Sequence, residues 1–188
     1  MPSDRETIEL EILVLRCQRG EREAFEELVR AWERRLFFYV RRLVTDEEDC
    51  WQILQDVWLQ VIRGVRSLRE PRRFPVWLYA VTRNTVMSHY RGEYARDRIL
   101  DAAEPRETAE GDGTIRLDDA EQIHYGLSRI PRADRELLTL FFLRDLSIDE
   151  VAEVLVIPPG TVKSRLFKAK KILRDVLERE GEIDEREE

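Results

Sequence analysis

Residues 146–173, LSIDEVAEVLVIPPGTVKSRLFKAKKIL, read as two short helices joined by a tight turn. Ser147 and Glu150 have the spacing of a capping box, in which each side chain satisfies a free donor at the helix start. Ile148, Val151, Ala152 and Leu155 then form one apolar stripe at helical spacing. Pro158, Pro159 and Gly160 interrupt the helix, and Thr161 is placed to cap a second one. In that second helix Val162, Leu166, Ala169 and Leu173 share an inward face. The opposite face carries Lys163, Ser164, Phe167, Lys168 and Lys171, with Arg165, Lys170 and Arg174 at its edges, and no acidic residue lies between Thr161 and Arg174. A short helix with an apolar back and a basic front, following a smaller helix, is what a helix-turn-helix needs to place its second helix in a DNA major groove. The plainer alternative is a solvated basic face on a helical hairpin. The exposed aromatic Phe167 among cations and the lack of acidic partners favour DNA.

Helical periodicity extends outward from this pair. Residues from about Thr7 to Arg19 form a predicted helix with Ile8, Ile12 and Leu15 on one side, ended by Gly20. Ala24, Phe25, Leu28, Val29, Trp32, Leu36, Val40 and Leu43 keep a 3.6-residue period. Thr45 is placed to cap a third helix whose first turn holds Asp46, Glu47, Glu48 and Asp49, placed well for the helix dipole. Its stripe is Leu54, Val57, Trp58, Val61 and Val65. Pro75 suits the first turn of a fourth helix, in which Phe74, Trp77, Leu78, Val81 and Thr85 share a face. Periodicity fails between about Ile99 and Leu117. It resumes with Ile123, Leu127 and Ile130, then Leu137, Leu138, Phe141 and Phe142. The expected fold is all-α: a first domain over 1–98, a flexible acidic linker over 99–118, a second domain with the helix-turn-helix over 119–180, and an acidic, irregular tail over 181–188.

Charge is segregated within the net −7 of the 188 residues. Residues 63–98 carry nine Arg against three acids, whereas 101–122 carry eight acids against two Arg. Local fields of this kind, and not the total, decide what a surface attracts. Cys17 and Cys50 have no metal-ligand spacing, His89 and His124 stand alone, and no Ser/His/Asp set or phosphate-cradling glycine loop appears. Metal, cofactor, small-molecule substrate and catalytic residues are therefore not expected. No apolar run is long enough for membrane insertion, and no signal peptide is evident.

The run LSRIPRADRELLTLFFLRDLSIDEVAEVLVIPPGTVKSRLFKAKKIL resembles the C-terminal DNA-binding domain of the extracytoplasmic-function (ECF) sigma factors. GEREAFEELVRAW, LQDVWLQVIRGV and FPVWLYAVTRNTVMSHYR resemble successive parts of that family's N-terminal promoter domain. The resemblance spans about Ile8 to Leu177. It implies a cytoplasmic, non-enzymatic initiation factor that bridges core RNA polymerase and promoter DNA, with an anti-sigma factor as a further partner. It places Thr161, Lys163, Ser164, Phe167, Lys168 and Lys171 at the minus-35 duplex, with Arg165 on phosphate. It makes Arg72, Arg73, Arg83, Arg91, Arg96 and Arg98 candidates for the minus-10 strand. Asn84 matches a position that lines a pocket for an extruded base, although it also reads as a polar residue flanking the core stripe. Trp77 and Phe74 suit either base stacking or the core, and Tyr79, on another face, suits DNA. Gln55 and Asp56 match the family's clamp-binding pair, with Asp49 and Leu54 beside them. Two positions depart from the pattern: Gln52 stands where the family often has Asp, and Val156 where it commonly has a turn Gly. The competing functions are a helix-turn-helix regulator acting on duplex DNA alone, which lacks an evident dimer interface, and a helical protein-interaction module.

Overall fold

Two apolar stripes compete on the first helix, and the structure buries the one that simple spacing did not pick. In the computed structural model, which describes residues 4–44, 46–100, 126–143 and 146–184, α1 spans Asp4–Gln18. Leu13, Val14 and Cys17 are buried, whereas Ile8, Ile12 and Leu15 face outward. Both sets repeat with helical spacing, so periodicity alone cannot choose between them. Gly20 ends the turn with φ +86°, its N–H bonding to Cys17 O at 2.9 Å while Glu21 N–H reaches Arg16 O at 3.2 Å.

Helix α2 (Arg22–Arg41) packs on α1 and buries Ala24, Leu28, Trp32 and Leu36. Asp46 caps α3 (Glu47–Gly64), its carboxylate accepting from the N–H of Glu48 at 2.7 Å and of Asp49 at 3.2 Å. The cap therefore falls one residue later than Thr45, which lies outside the described residues; an Asp in extended conformation serves the same two donors. Short 3-10 turns at Val65–Ser67 and Pro71–Arg73 lead into α4 (Phe74–Leu100). Gln18 Nε2 fastens this loop to α1 by donating to Val65 O at 3.0 Å and Leu68 O at 2.7 Å. Gln60 donates to Thr85 Oγ1 at 2.9 Å, joining α3 to α4. At the centre, Trp32 meets Phe74 and Tyr79 edge-on at 5.7 and 6.2 Å, and Tyr39 meets Tyr79 at 5.3 Å.

Residues 101–125, which include most of the expected linker, lie outside the described residues. The chain is described again from Gly126, which sits so close to Leu173 and Leu177 that an added Cβ would lie 2.8–2.9 Å from them. Helices α5 (Arg132–Leu143), α6 (Ile148–Leu155) and α7 (Pro159–Asp184) complete the second domain. Its core is Leu137, Leu138, Leu140, Val151, Val154, Val162, Leu166 and Ala169. Helix α7 continues through Asp184, past Gly181, where composition predicts an irregular tail. The two domains touch: α6 lies against α4, and α5 against α2. Among the described residues every element is helical.

The capping box of α6 is present, with Ser147 N–H donating to Glu150 Oε2 at 2.7 Å and Glu150 N–H to Ser147 Oγ at 3.3 Å. The helix ends on Val156 at φ 56°, ψ 48°. This is the left-handed conformation that favours glycine, so a β-branched residue occupies the position at a cost. Two bonds pay for it in part: Val156 N–H to Glu153 O at 3.2 Å and Ile157 N–H to Ala152 O at 3.1 Å. The Val156 side chain is 79% exposed and contributes almost no burial. Val156→Gly is accordingly expected to stabilise the second domain by roughly 0.5–1 kcal/mol, the left-handed penalty of about 1–2 kcal/mol less the added chain entropy of glycine. Chemical denaturation measures this; an unchanged or lower midpoint would count against stored strain.

Candidate nucleic-acid interface

The second helix of the helix-turn-helix presents the surface expected of it. Val162, Leu166 and Ala169 are buried, and Leu173 is half-buried. Lys163, Ser164, Arg165, Phe167, Lys168 and Lys171 are exposed, Phe167 to 79%. An aromatic ring left in water between lysines is costly unless something covers it, and a thymine methyl or base edge suits it. Thr161 does not cap this helix. The helix starts at Pro159, whose ring presets φ, and the first bonds run from Thr161 N–H and Val162 N–H to Pro158 O at 2.9 and 3.1 Å. Thr161 thus lies within the first turn, half-buried, and its carbonyl accepts from Ser164 Oγ at 3.1 Å.

The arginines of the first domain separate into distinct environments. Arg72 and Arg91 are exposed; Arg72 pairs with Glu70 at 3.2 Å and Arg91 donates to Ser88 Oγ at 3.0 Å. Arg73 pairs with Glu153 of α6. Arg83 Nε donates to Glu136 Oε1 of α5 at 3.0 Å. Arg96 lies in α4, and its side chain is outside the described residues. Asn84 is exposed next to Arg83. Trp77 is half-buried and lines a cleft of ≈ 220 Å³ with Leu68, Arg69, Arg73 and Glu153, whereas Phe74 is wholly core. Tyr79 must be corrected. At 1% exposure it belongs to the aromatic centre against Trp32 and Tyr39 and cannot reach DNA in this conformation.

Leu54 needs the same correction. It is 2% exposed and packs in the first-domain core, on the face of α3 opposite to Gln55 and Asp56. Gln55 and Asp56 are exposed; Asp49 is half-buried, 3.6 Å from His89 Nε2. Three residues missing from the sequence-based set share the open side of α3: Trp51, Leu59 and Ile62 are each about half exposed. Trp51 stacks on Phe37 at 4.6 Å. Their spacing of eight and three residues was visible, but α3 is apolar on both sides and its core stripe masks the second one.

The seam between the domains has its own electrostatics. Glu136 Oε1 also accepts from Tyr39 Oη at 2.9 Å, and burial, with that carboxylate beside it, pushes the Tyr39 phenol well above its ordinary pKa. Arg135 Nη1 donates to Arg42 O at 3.4 Å. Burial, together with the like charges of Arg135 and Arg41, lowers the Arg42 guanidinium to about 10. Cys17 is buried, and desolvation raises its thiol to about 11, far from the depressed values of reactive thiols. Among the described residues no group of three or more His, Cys, Asp or Glu is disposed to hold a metal, and no helix is long and apolar enough to cross a membrane.

The chain is similar to known proteins along nearly its whole length. The Sigma-70 region 2 family model matches residues 28–96, and the model for Sigma-70, region 4, matches residues 120–173. The RNA polymerase sigma-H factor of Pseudomonas aeruginosa is 30% identical over 179 residues, covering 88% of this chain and 92% of that one. The ECF RNA polymerase sigma-E factor of Haemophilus influenzae is 26% identical, with 88% and 94% covered. In fold, the chain is similar to the sigma factor RpoE of Bartonella quintana, solved in complex with the anti-sigma factor NepR, at a TM-score of 0.69 and 19% identity over 82% of this chain and 96% of that one. It is also similar to CnrH, solved with the cytosolic domain of CnrY, at a TM-score of 0.64 and 21% identity over 90% and 97%. With both promoter-binding regions matched in order along nearly the whole chain, the protein belongs to the extracytoplasmic-function (ECF) family of RNA polymerase sigma factors, which direct core polymerase to promoters.

Proposed function

We propose the following division of labour for this sigma factor. The exposed face of α7 reads the minus-35 element as duplex, with Lys163, Ser164, Phe167 and Lys168 toward base edges, Thr161, Arg165 and Lys171 at the helix margins, and Arg165 on phosphate. Arg72, Arg73, Arg83, Arg91 and Arg96 hold the minus-10 strand through its phosphates, Asn84 meets an extruded base edge, and Trp77 offers a stacking surface. Gln55 and Asp56, flanked by Trp51, Leu59 and Ile62, dock the clamp of core polymerase; Asp49 supports that face from beside His89. The protein needs no catalytic group of its own and works in the cytoplasm, where polymerase is. The complexes of RpoE with NepR and of CnrH with CnrY make an anti-sigma factor the natural further partner. The observation that carries the proposal is the coexistence of the exposed face of α7 between Thr161 and Arg174, which holds no acid, with the open side of α3, one suited to DNA and the other to protein.

In vitro transcription with purified core polymerase tests it. Promoter-specific initiation should require this chain, and Gln55→Ala combined with Asp56→Ala should lower core affinity roughly tenfold or more while leaving thermal stability unchanged. Duplex binding without initiation would instead support a regulator acting on DNA alone.

A further inference from the structure

Gly64 has no conformational reason to be glycine. It is the last residue of α3, at φ −96° and ψ −24°, a right-handed conformation that any residue adopts. Its carbonyl accepts from Ser67 Oγ at 2.7 Å, a bond that needs no particular side chain at 64. In a helix, alanine would hold the backbone better, because glycine loses more conformational freedom on folding. What the position lacks is room. A Cβ added there would lie 2.9 Å from Cζ2 and 3.4 Å from Cη2 of Trp77, so the indole rests on bare backbone at the end of α3. Those atoms belong to a rigid ring. It cannot yield by bending one end, and must turn or shift as a whole.

This ring is the one that offers a stacking surface. Trp77 is half-buried on α4. Phe74, wholly buried, meets it from the core with centroids 5.9 Å apart and planes at 44°. The indole also lines the cleft of ≈ 220 Å³, together with Leu68, Arg69 and Arg73. Phe74 leaves no space for a retreat into the filled core. A side chain at 64 therefore drives the ring toward the cleft and turns its plane. Stacking depends on that plane, because a base gains its contact from overlap with the face of the ring.

We propose that Gly64 is a positioning residue for Trp77: its missing side chain lets the indole settle on the end of α3, and so fixes the plane on which a strand base stacks. The proposal rests on the stacking role of Trp77 given above.

The test uses holoenzyme, assembled from core polymerase and the full chain, on its own promoter with 2-aminopurine in the minus-10 element. Fluorescence of the 2-aminopurine follows opening, and affinity for a duplex bearing the minus-35 element alone reports the second domain. Gly64→Ala should slow opening about fivefold or more, the low end of the loss for a removed stacking contact, and leave the minus-35 affinity unchanged. Phenylalanine lacks Cζ2 and Cη2, so in a Trp77→Phe background the same change at 64 should alter opening by less than roughly twofold. Opening at the wild-type rate in Gly64→Ala would overturn the proposal. An equal loss in both backgrounds would do the same, since a residue that merely supports the helix acts without regard to the ring. Trp77→Ala tests the underlying role. Normal opening with that variant removes the stacking reading and the proposal with it, whereas slow opening in Trp77→Ala beside normal opening in Gly64→Ala removes the positioning role alone. Should Gly64→Ala not fold, the wild-type chain labelled with 5-fluorotryptophan decides. A ring held in one orientation gives a single narrow Trp77 fluorine resonance, assigned by its loss in Trp77→Phe, and a broad or doubled resonance would overturn the proposal.

Discussion

Alanine at Lys168 is expected to weaken binding at the protein's own promoter by about 1–3 kcal/mol, roughly 5- to 150-fold, and to relax the preference at the base pair it contacts. Lys168 sits on the solvent side of α7, one residue from the most exposed aromatic of the helix and four from Ser164, so the three line one strip. A lysine there reaches guanine acceptors in the major groove. Arg165, at the edge of the strip, should behave differently. Its replacement by alanine should weaken matched and scrambled sequences alike and reduce the slope of log K against log salt by about one, as expected for a lost phosphate contact. Holoenzyme affinity for matched and scrambled promoters, measured across a salt series, separates the two. Equal losses on both templates for both variants would remove the distinction between base and phosphate contact.

The second large effect concerns stability. Leu54→Ala should cost about 2–5 kcal/mol, the usual range for truncating a leucine in a filled core, and lower the melting midpoint of the protein by about 10 °C. Its neighbours Gln55 and Asp56 lie on the open side of α3, and their alanine variants should leave the midpoint nearly unchanged. Thermal melts and core-polymerase affinity, measured on the same three variants, give opposite patterns if Leu54 is a core residue. A Leu54→Ala protein with wild-type stability and lost polymerase binding would return the residue to the interface.

Leu54 and Tyr79 fail as interface residues for the same reason. Leu54 is adjacent in sequence to the exposed Gln55, and each of the two has a chemistry that fits an interface as well as a core. Resemblance carries a role to a position; burial decides whether the side chain can perform it. The first helix shows the matter in its simplest form, since Ile8, Ile12 and Leu15 have spacing as regular as that of Leu10, Val14 and Cys17, and only the second set packs into the core.

The all-α class, the order of the helices, the capping box at Ser147 and the basic front of the second helix of the pair are all legible in the residues, because each is set by interactions within a few positions along the chain; the break is legible as well, but it falls at Val156–Pro158, and Pro159 and Gly160 open the next helix. The conflict at Val156 is legible too, since a β-branched residue at a helix end that wants glycine is a local fact. The pairing of Arg73 with Glu153 and of Arg83 with Glu136 is not. Those partners stand 80 and 53 positions apart. Nothing in the local pattern distinguishes an arginine free to hold a phosphate from one held by a carboxylate of the other domain. Their occupation depends on how the two helical domains dock, a matter of surface shape and charge summed over the whole seam, and it exists only once both domains have folded.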